Sequence, residues 1–501
     1  MTSPPTTAGV VHVEVRKGAY ADSVALLQVS KDVVATPGVT AAQVAMATPL
    51  NLGLLEAMGV TILETTTNDM VVALRVESED HIADALKAVD AALAATSRRR
   101  GNGAEQTIAP RTTASAMSRF DTSLALVSVP GQHAAVEAMD ALDHGQDVMI
   151  FSDNVPIEQE IALKQIAQER GLLVMGPDCG TAMVNGVGLG FANTVRPGPV
   201  GLVAASGTGC QQLMCLFDNA GVGLSAALGV GGRDLGSDVG GLATKQALRR
   251  LDADPSTELI VVVSKPPAGE VAADLRSFAD GLATPVQFAL LGAGQPDLTA
   301  VAESVLTALG HPVPTWPTWG TPAAGAPKGF LRGLFVGGTL CDESMLIAAE
   351  ALGAIRSNIP LDPAYALDSS MMADAHLMID FGDDSLTVGR AHPMIDPTLR
   401  LNYLAKTAAD PATAVILMDV ALGHGAEPDP AAELAPAINQ ALAAARGSSR
   451  DLPVVVACVG TESDPQNLTR QAASLAATGA EVFLSNAQAV RRALTLIGGA
   501  R

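Results

Sequence analysis

The stretch "GLVAASGTGC" ends on Ser206, Gly207, Thr208 and Gly209 just before the apolar segment "QQLMCLFDNAG". A buried-strand pattern that runs through such a loop into a helix brings unpaired backbone N–H groups and the positive end of a helix dipole to one point, where an anion is favoured. Glycine lets a ligand approach the backbone, and the Ser206 and Thr208 hydroxyls add donors, so phosphate is the candidate ligand. The same residue types also build an ordinary N-cap, and both readings stand at this level. The glycine-rich "GVGGRDLGSDVGG" contains Gly231, Gly232, Asp234 and a single cation, Arg233. It reads as a loop wrapping a polar ligand, with Arg233 bidentate to phosphate or carboxylate, or as a mobile surface loop. "MGPDCGT" adds Asp178 and Cys179 at another strand end, with no histidine spaced to activate the thiol. In "DFGDDSLTVGRAHPMID", Asp380, Asp383 and Asp384 crowd one strand end, and Arg390 and His392 follow. Three carboxylates and an imidazole suit a divalent cation such as Mg²⁺ or an acid/base pair, and equally an N-cap with a solvated loop. His424, between glycines in "ALGHGAEPDP", is a proton-transfer group or a surface-loop histidine.

These turns need strands to carry them. Residues 1–98 alternate as βαβαβα, from "VVHVEVRK" to "EDHIADALKAVDAALAA", and predict a small α+β domain of ferredoxin-like form. Residues 99–120 read as a polar linker. From residue 121 the pattern becomes successive βα units, the signature of parallel sheet. The expectation is an α/β chain: a Rossmann-like CoA-binding-type domain over 121–197, a flavodoxin-like domain over 198–310, a Pro-rich linker over 311–329, and a second flavodoxin-like domain over 330–501. The two flavodoxin-like regions open alike, with "GLVAASGTGCQQL" and "GLFVGGTLCDESML". In such folds ligands sit at the carboxyl ends of the strands, where the turns above lie.

Composition narrows the function. Hydrophobic residues make up 48% of the 501 residues but aromatics only 3%, so small aliphatic side chains fill the interior. The net charge of −21 excludes a nucleic-acid or anionic-membrane surface unless basic residues cluster, and "SRRR" is a short solvated run. The five cysteines lack paired metal spacing and no leader or membrane-span pattern is seen, so a cytoplasmic protein with buried thiols is expected.

The order of "VPGQH", "MGPDCGT", "GPVGLVAASGTG", "GVGGRDLGSDVGG" and "DFGDDSLTVGRAHPMIDPTLRL" resembles the FdrA family over residues 121–501. Members of that family are similar to the succinyl-CoA synthetase α-subunit followed by the carboxyl-terminal domain of the β-subunit. The resemblance implies two helix mouths, at Ser206–Gly209 and at Gly382–Thr387 with Ser385, facing one phosphate site. It departs from the synthetases in "FALLGAGQPD", which lacks the phosphorylated histidine of their loop, and no ATP-grasp domain is visible. What the resemblance implies is a subunit of oxamate carbamoyltransferase in anaerobic allantoin breakdown, working with two further subunits and in a homo-oligomer or not. The reaction is phosphorolysis of oxalurate to oxamate and carbamoyl phosphate. Arg233 or Arg390 would hold the oxalurate carboxylate, and His392 or His424 would shuttle a proton. No cofactor is required for this, although Mg²⁺ is compatible with it. The alternatives are an acyl-CoA synthetase or CoA-transferase subunit using CoA or a nucleotide, and a non-catalytic regulatory subunit.

Overall fold

A computed structural model of the chain describes residues 10–19, 21, 23–48, 51–52, 55, 60, 65–66, 68–99, 110, 112–323, 328–387 and 391–498. They divide into two units, residues 1–109 with 388–391 and residues 110–387 with 392–501.

In the first unit β1 (Val10–Arg16), β2 (Val39–Met46) and β3 (Met70–Val76) form an antiparallel sheet in the order β1-β3-β2. The period of two splits the side chains of β3 between two cores. Val72, Leu74 and Val76 pack with Val29 and Val33 of the helix Ser23–Val34 and with Ala85 and Val89 of the helix Ile82–Arg99. Val71 and Ala73 instead join Ala47, Leu55 and Val60. Burial on both faces explains why "MVVALRV" is nearly all apolar. The helix read over "NLGLLEAMG" falls mostly outside the described residues.

The second unit carries three sheets. The first is parallel, β4 (Leu124–Val127), β5 (Asp147–Ile150) and β6 (Val174–Met175), with the helices Gly131–Asp143 and Ile157–Glu169 as crossovers. The second is built from β7 (Thr181–Val184), β8 (Val187–Gly190), β9 (Pro197–Ala205), β10 (Leu224–Gly229), β11 (Leu259–Ser264) and β12 (Val286–Leu290), in the order β12-β11-β9-β10-β7-β8. Its four parallel strands follow the flavodoxin-like order 2-1-3-4. The hairpin β7–β8 turns at Asn185 and Gly186, both with positive φ, as Asn-Gly hairpin turns do. The third sheet contains β13 (Thr318–Trp319), β14 (Phe330–Phe335), β15 (Arg356–Ser357), β16 (Leu377–Asp380), β17 (Thr413–Ala421), β18 (Val454–Val459) and β19 (Glu481–Phe483). Within its order, β13-β19-β18-β17-β14-β16-β15, the strands β16-β14-β17-β18-β19 repeat the flavodoxin-like order 2-1-3-4-5, with the short β15 added parallel at one edge and β13 antiparallel at the other.

The second and third sheets share one continuous apolar core running from Met183 to Leu496. The helix after β9, Gly207–Asn219, lies inside it, and every residue from Thr208 to Asp218 is buried. A helix apolar on all sides is one packed on all sides. It meets the helix after β14, Gly338–Leu352, along with strands of both sheets. Its polar positions are satisfied across the interface: Gln212 donates to the Leu484 carbonyl at 3.2 Å and accepts from the Asn486 N–H at 2.9 Å. Asn486 in turn donates to Glu343 at 2.7 Å, and the Leu298 N–H donates to the other carboxylate oxygen at 2.7 Å.

Burial pushes the Glu343 carboxyl up to about 7, with the nearby Asp297 adding to the shift. Between the ordinary value of 4.5 and about 7 the folded chain therefore binds more protons than the unfolded chain, and stability falls as pH rises through that window. Glu343→Gln should flatten this slope in chemical denaturation measured across the window. Identical slopes in the two proteins would show that Glu343 ionises freely.

Candidate functional site

The register of the second sheet sets the level of the site. β9 and β11 pair in parallel up to Ala205 and Ser264, so Ser206 and Lys265 leave the sheet side by side. β14 and β16 pair up to Phe335 and Asp380, which brings Val336–Thr339 and Asp380–Gly382 out together in the third sheet. Four strand ends thus converge between the two flavodoxin-like halves.

Ser206 caps its helix by accepting from the Gly209 N–H at 3.0 Å. Its hydroxyl also shares a hydrogen bond of 2.7 Å with Thr339, in the first turn of the helix Gly338–Leu352. The two helices therefore meet mouth to mouth. A Cβ on Gly337 would lie 2.8 Å from Thr208, and one on Gly209 would lie 2.4 Å from the Ser206 hydroxyl, so only glycine permits this approach. Among the described residues no protein acceptor is found for the N–H groups of Gly207, Thr208, Gly338 and Thr339. Such first-turn donors and two dipole ends favour an anion. Below the second mouth, the Val336 and Gly337 N–H groups donate to Asp419 at 2.7 and 2.9 Å. Arg400 donates to Asp419 at 3.2 Å, so a buried ion pair fixes the loop from behind.

Charged groups ring these mouths. Lys265 Nζ lies 3.4 Å from Asp342 Oδ2, and its side chain is 44% exposed. A Cβ on Gly338 would lie 2.7 Å from Asp380 Oδ2 and 3.0 Å from Lys265 Nζ, which places the amine and that carboxylate on either side of the helix start. Burial pushes the Asp380 carboxyl up to about 7, against the pull of Lys265 and of the Gly382 N–H, which donates to it at 2.9 Å. Burial raises Asp342 as well, again opposed by Lys265. Asp178 is wetted yet enclosed by protein mass, as a group in a cleft is; burial, Asp384 and Asp153 push it up to about 6, while Lys265 and Arg233 oppose the shift. Asp178, Asp384, Asp153, Lys265 and Arg233 are thus one electrostatic cluster.

His392 stands beside the Gly382 loop. Burial depresses its pKa to about 4, and its Nδ1 accepts from the Met394 N–H at 3.2 Å. The ring is therefore neutral with its proton on Nε2, and that atom points at Gly382, 2.8 Å from where a Cβ would stand. Phe191 holds the ring from the side, at 5.5 Å between centroids. A neutral imidazole with a fixed N–H is a donor to a developing oxyanion.

Several expectations are corrected. The helix facing Ser206–Gly209 begins at Gly338, not in the Gly382–Thr387 loop, which forms a single turn over Asp384–Thr387. The Ser385 and Thr387 hydroxyls both donate back to Asp383, so they are engaged within their own turn, whereas Gly382 stands beside His392 and Asp380. Arg233 is committed to Glu160 at 2.8 Å and to the Val155 carbonyl at 2.8 Å. Asp234 is fully buried and accepts from Lys164 at 2.8 Å and from the Ala243 and Thr244 N–H groups, so it ties the first sheet to the second rather than touching substrate. Gly231 packs on Pro177, and Gly232 stands beside Asp178. Cys179 is buried and its thiol is pushed up to about 12, which removes it as a nucleophile. His424 bonds to Thr194 at 3.1 Å, and its neighbour Gly425 packs on Phe191. Arg390 lies outside the described residues. Among the described residues no group of three or more His, Cys, Asp or Glu side chains is arranged to hold a metal, because Asp383 caps its own turn and Asp380 is pinned under Gly382. Sequence reasoning missed Lys265, Thr339 and Asp342. The repeat "GLFVGGTLCDESML" was the available signal for the last two, and a lysine ending an apolar strand, "IVVVSK", for the first.

The chain is 37% identical to the protein YahF of Escherichia coli (strain K12), over 94% of this chain and 95% of that one. It belongs to the YahF family. Residues 334–496 match the family model for CoA-ligase, and residues 6–110 match that for the AllF heavy metal-associated domain. The succinate–CoA ligase [ADP-forming] α subunit of Methanothermobacter thermautotrophicus is 27% identical over 35% of this chain, which spans 60% of that subunit. Among solved structures, the dinucleotide-forming acetyl-coenzyme A synthetase 1 of Ca. Korarchaeum cryptofilum shows 15% identity and a TM-score of 0.29, over 76% of this chain and 85% of that one. Residues 334–496 thus carry the CoA-ligase match, and the AllF-type amino-terminal match fits the FdrA-like resemblance. Among the described residues no helix is long and apolar enough to cross a membrane.

Because Lys265 lowers the Asp380 pKa, Lys265→Met should raise the Asp380 midpoint above about 7. Carboxyl NMR of the full chain, assigned with Asp380→Asn, checks it; an unchanged midpoint would dissolve the cluster.

Proposed function

We propose that the chain is a subunit of an acid–thiol-ligase-type enzyme that handles an acyl phosphate, with the phosphoryl group between the mouths of the helices Gly207–Asn219 and Gly338–Leu352. The observation that carries the reading is the Ser206–Thr339 contact of 2.7 Å, which turns two sets of first-turn N–H groups onto one point. The CoA-ligase family match over 334–496 and the named function of the α-subunit relative support it. In the acyl-CoA direction a thiol sulfur attacks the acyl carbon, a C–S bond forms, the C–O bond to phosphate breaks, and the thiol proton leaves to solvent or to phosphate. The helix ends hold the departing phosphate, and the His392 Nε2–H faces the side on which carbonyl charge develops.

A second reading is favoured by one observation: the loop after β12, Leu291–Asp297, has no histidine to carry a phosphoryl group, and Asp297 is spent capping the next helix and pairing with Arg491. Inorganic phosphate would then react directly. Its oxygen attacks the carbamoyl carbon of oxalurate, the C–N bond breaks, the nitrogen takes a proton, and oxamate and carbamoyl phosphate leave. This is the oxamate carbamoyltransferase reading, a cytoplasmic activity with two further subunits as partners.

Both readings share the phosphate site and differ in acceptor. The chain co-expressed with its neighbouring subunits is assayed with CoA plus acyl phosphate, and separately with oxamate plus carbamoyl phosphate. Thioester formation supports the ligase reading, oxalurate formation the carbamoyl one, and the absence of both from an intact complex rejects the two together. Thr208→Val removes a hydroxyl beside a charged ligand, an interaction of about 1.5–3 kcal/mol, and should raise the KM for the phosphorylated substrate roughly 10- to 100-fold in whichever assay is active. An unchanged KM would move the phosphate elsewhere.

A further inference from the structure

Among the described residues, the cleft contains one cation whose role the fold does not explain. Arg233 is spent on Glu160 and the Val155 carbonyl, Arg400 on Asp419, and Lys164 on Glu160, Asp234 and the Val230 carbonyl. Lys265 differs from them. Among the described residues its ammonium group has one counter-ion within 4 Å, Asp342 at 3.4 Å, which is longer than a strong charged hydrogen bond, and Asp380 is the next acid in its field. Its side chain is 44% exposed, so it does not fill a core. Its backbone is fixed by the β9–β11 register beside Ser206, and its Nζ stands at the start of the opposite helix, 3.0 Å from where a Gly338 Cβ would be. The amine therefore lies between the two mouths, paired with Asp342 at 3.4 Å and facing Asp380 across the gap that Gly338 leaves.

We infer that Lys265 is the residue that binds the anionic phosphoryl oxygens of the substrate, with Asp342 as the positioning residue that points it and Gly338 as the gap that lets it reach. This rests on the phosphate site proposed above. The glycine is part of the device, because any side chain at 338 would occupy the space between the amine and Asp380. Asp380, deeply buried and with a carboxyl near neutrality, can lose its charge when an anion enters, so it does not bar the ligand. The substrate class is an oxyanion carrying two charges, for which a lysine acts as a point charge beside the directional N–H donors of the helix ends.

The test uses the full chain and inorganic phosphate, followed by isothermal titration and by ³¹P line broadening, with wild type, Lys265→Met, Lys265→Arg and Thr208→Val. Thermal melts confirm that each variant is folded, and Lys265→Gln replaces Lys265→Met if that variant is not. The expected result is phosphate binding by wild type, a loss of at least roughly tenfold in Lys265→Met and retention of most affinity in Lys265→Arg, since charge and not shape is required. If Thr208→Val weakens binding while Lys265→Met does not, the lysine assignment is overturned and the phosphate site stands. If wild type binds no phosphate, or all four proteins bind alike, the site itself is wrong and the lysine assignment falls with it.

Discussion

Two helix amino-termini meet over a single shared hydrogen bond between Ser206 and Thr339, and most of the second unit is arranged around that meeting. Like dipole ends repel, so they are brought together only where packing demands it or an anion rewards it. Packing alone accounts for much of the contact: the helix Gly207–Asn219 is buried on every side in a core that both flavodoxin-like sheets share. It does not account for the glycines. Gly209 and Gly337 are placed where a methyl group would strike a hydroxyl or Thr208, and they let the two mouths close to hydroxyl contact.

The charges around the mouths follow from that geometry. Asp419, paired with Arg400, takes the Val336 and Gly337 N–H groups and so holds the second mouth without capping it. Buried ion pairs are costly to break and make poor ligands, which is why Lys164 and Asp234, suggestive by type, serve as struts, while the half-exposed Arg233 is tied to the buried Glu160. Asp380, Asp342 and Asp178 have carboxyls raised by enclosure, and each is within the field of Lys265. Raised carboxyls, a neutral histidine and, among the described residues, a lysine with a long ion pair are the features of this cleft on which the proposed function rests.

The family assignment rests on nearly the whole chain, whereas the CoA-ligase match covers 334–496 and the succinate–CoA ligase relative only 35% of it. The amino-terminal region matched by the AllF heavy metal-associated domain has no cysteine between residues 6 and 110. Thiolate ligation of a soft metal is therefore unavailable in this region, and its two-sided apolar core around β3 is its evident physical feature.

How much of this was legible follows from which interactions are local. The periods of two and 3.6, the Gly and Pro punctuation and the restart of the βα pattern are properties of neighbouring residues, so the strands of all three parallel regions and the loop Ser206–Gly209 could be read directly from the sequence. The sequence also determined that the loop Leu291–Asp297 lacks a histidine. It could not separate Asp234 from Asp178, or Arg233 from Lys265, because a charged side chain becomes strut or ligand according to what is opposite it. Glu160 and Lys164 lie more than sixty residues from Arg233 and Asp234 along the chain, and Thr339 lies 133 residues from Ser206. Only the tertiary structure chose Gly338 over Gly382 as the facing helix start, since both loops leave neighbouring strands of one sheet and only the first is followed by a helix long enough to be buried against its partner.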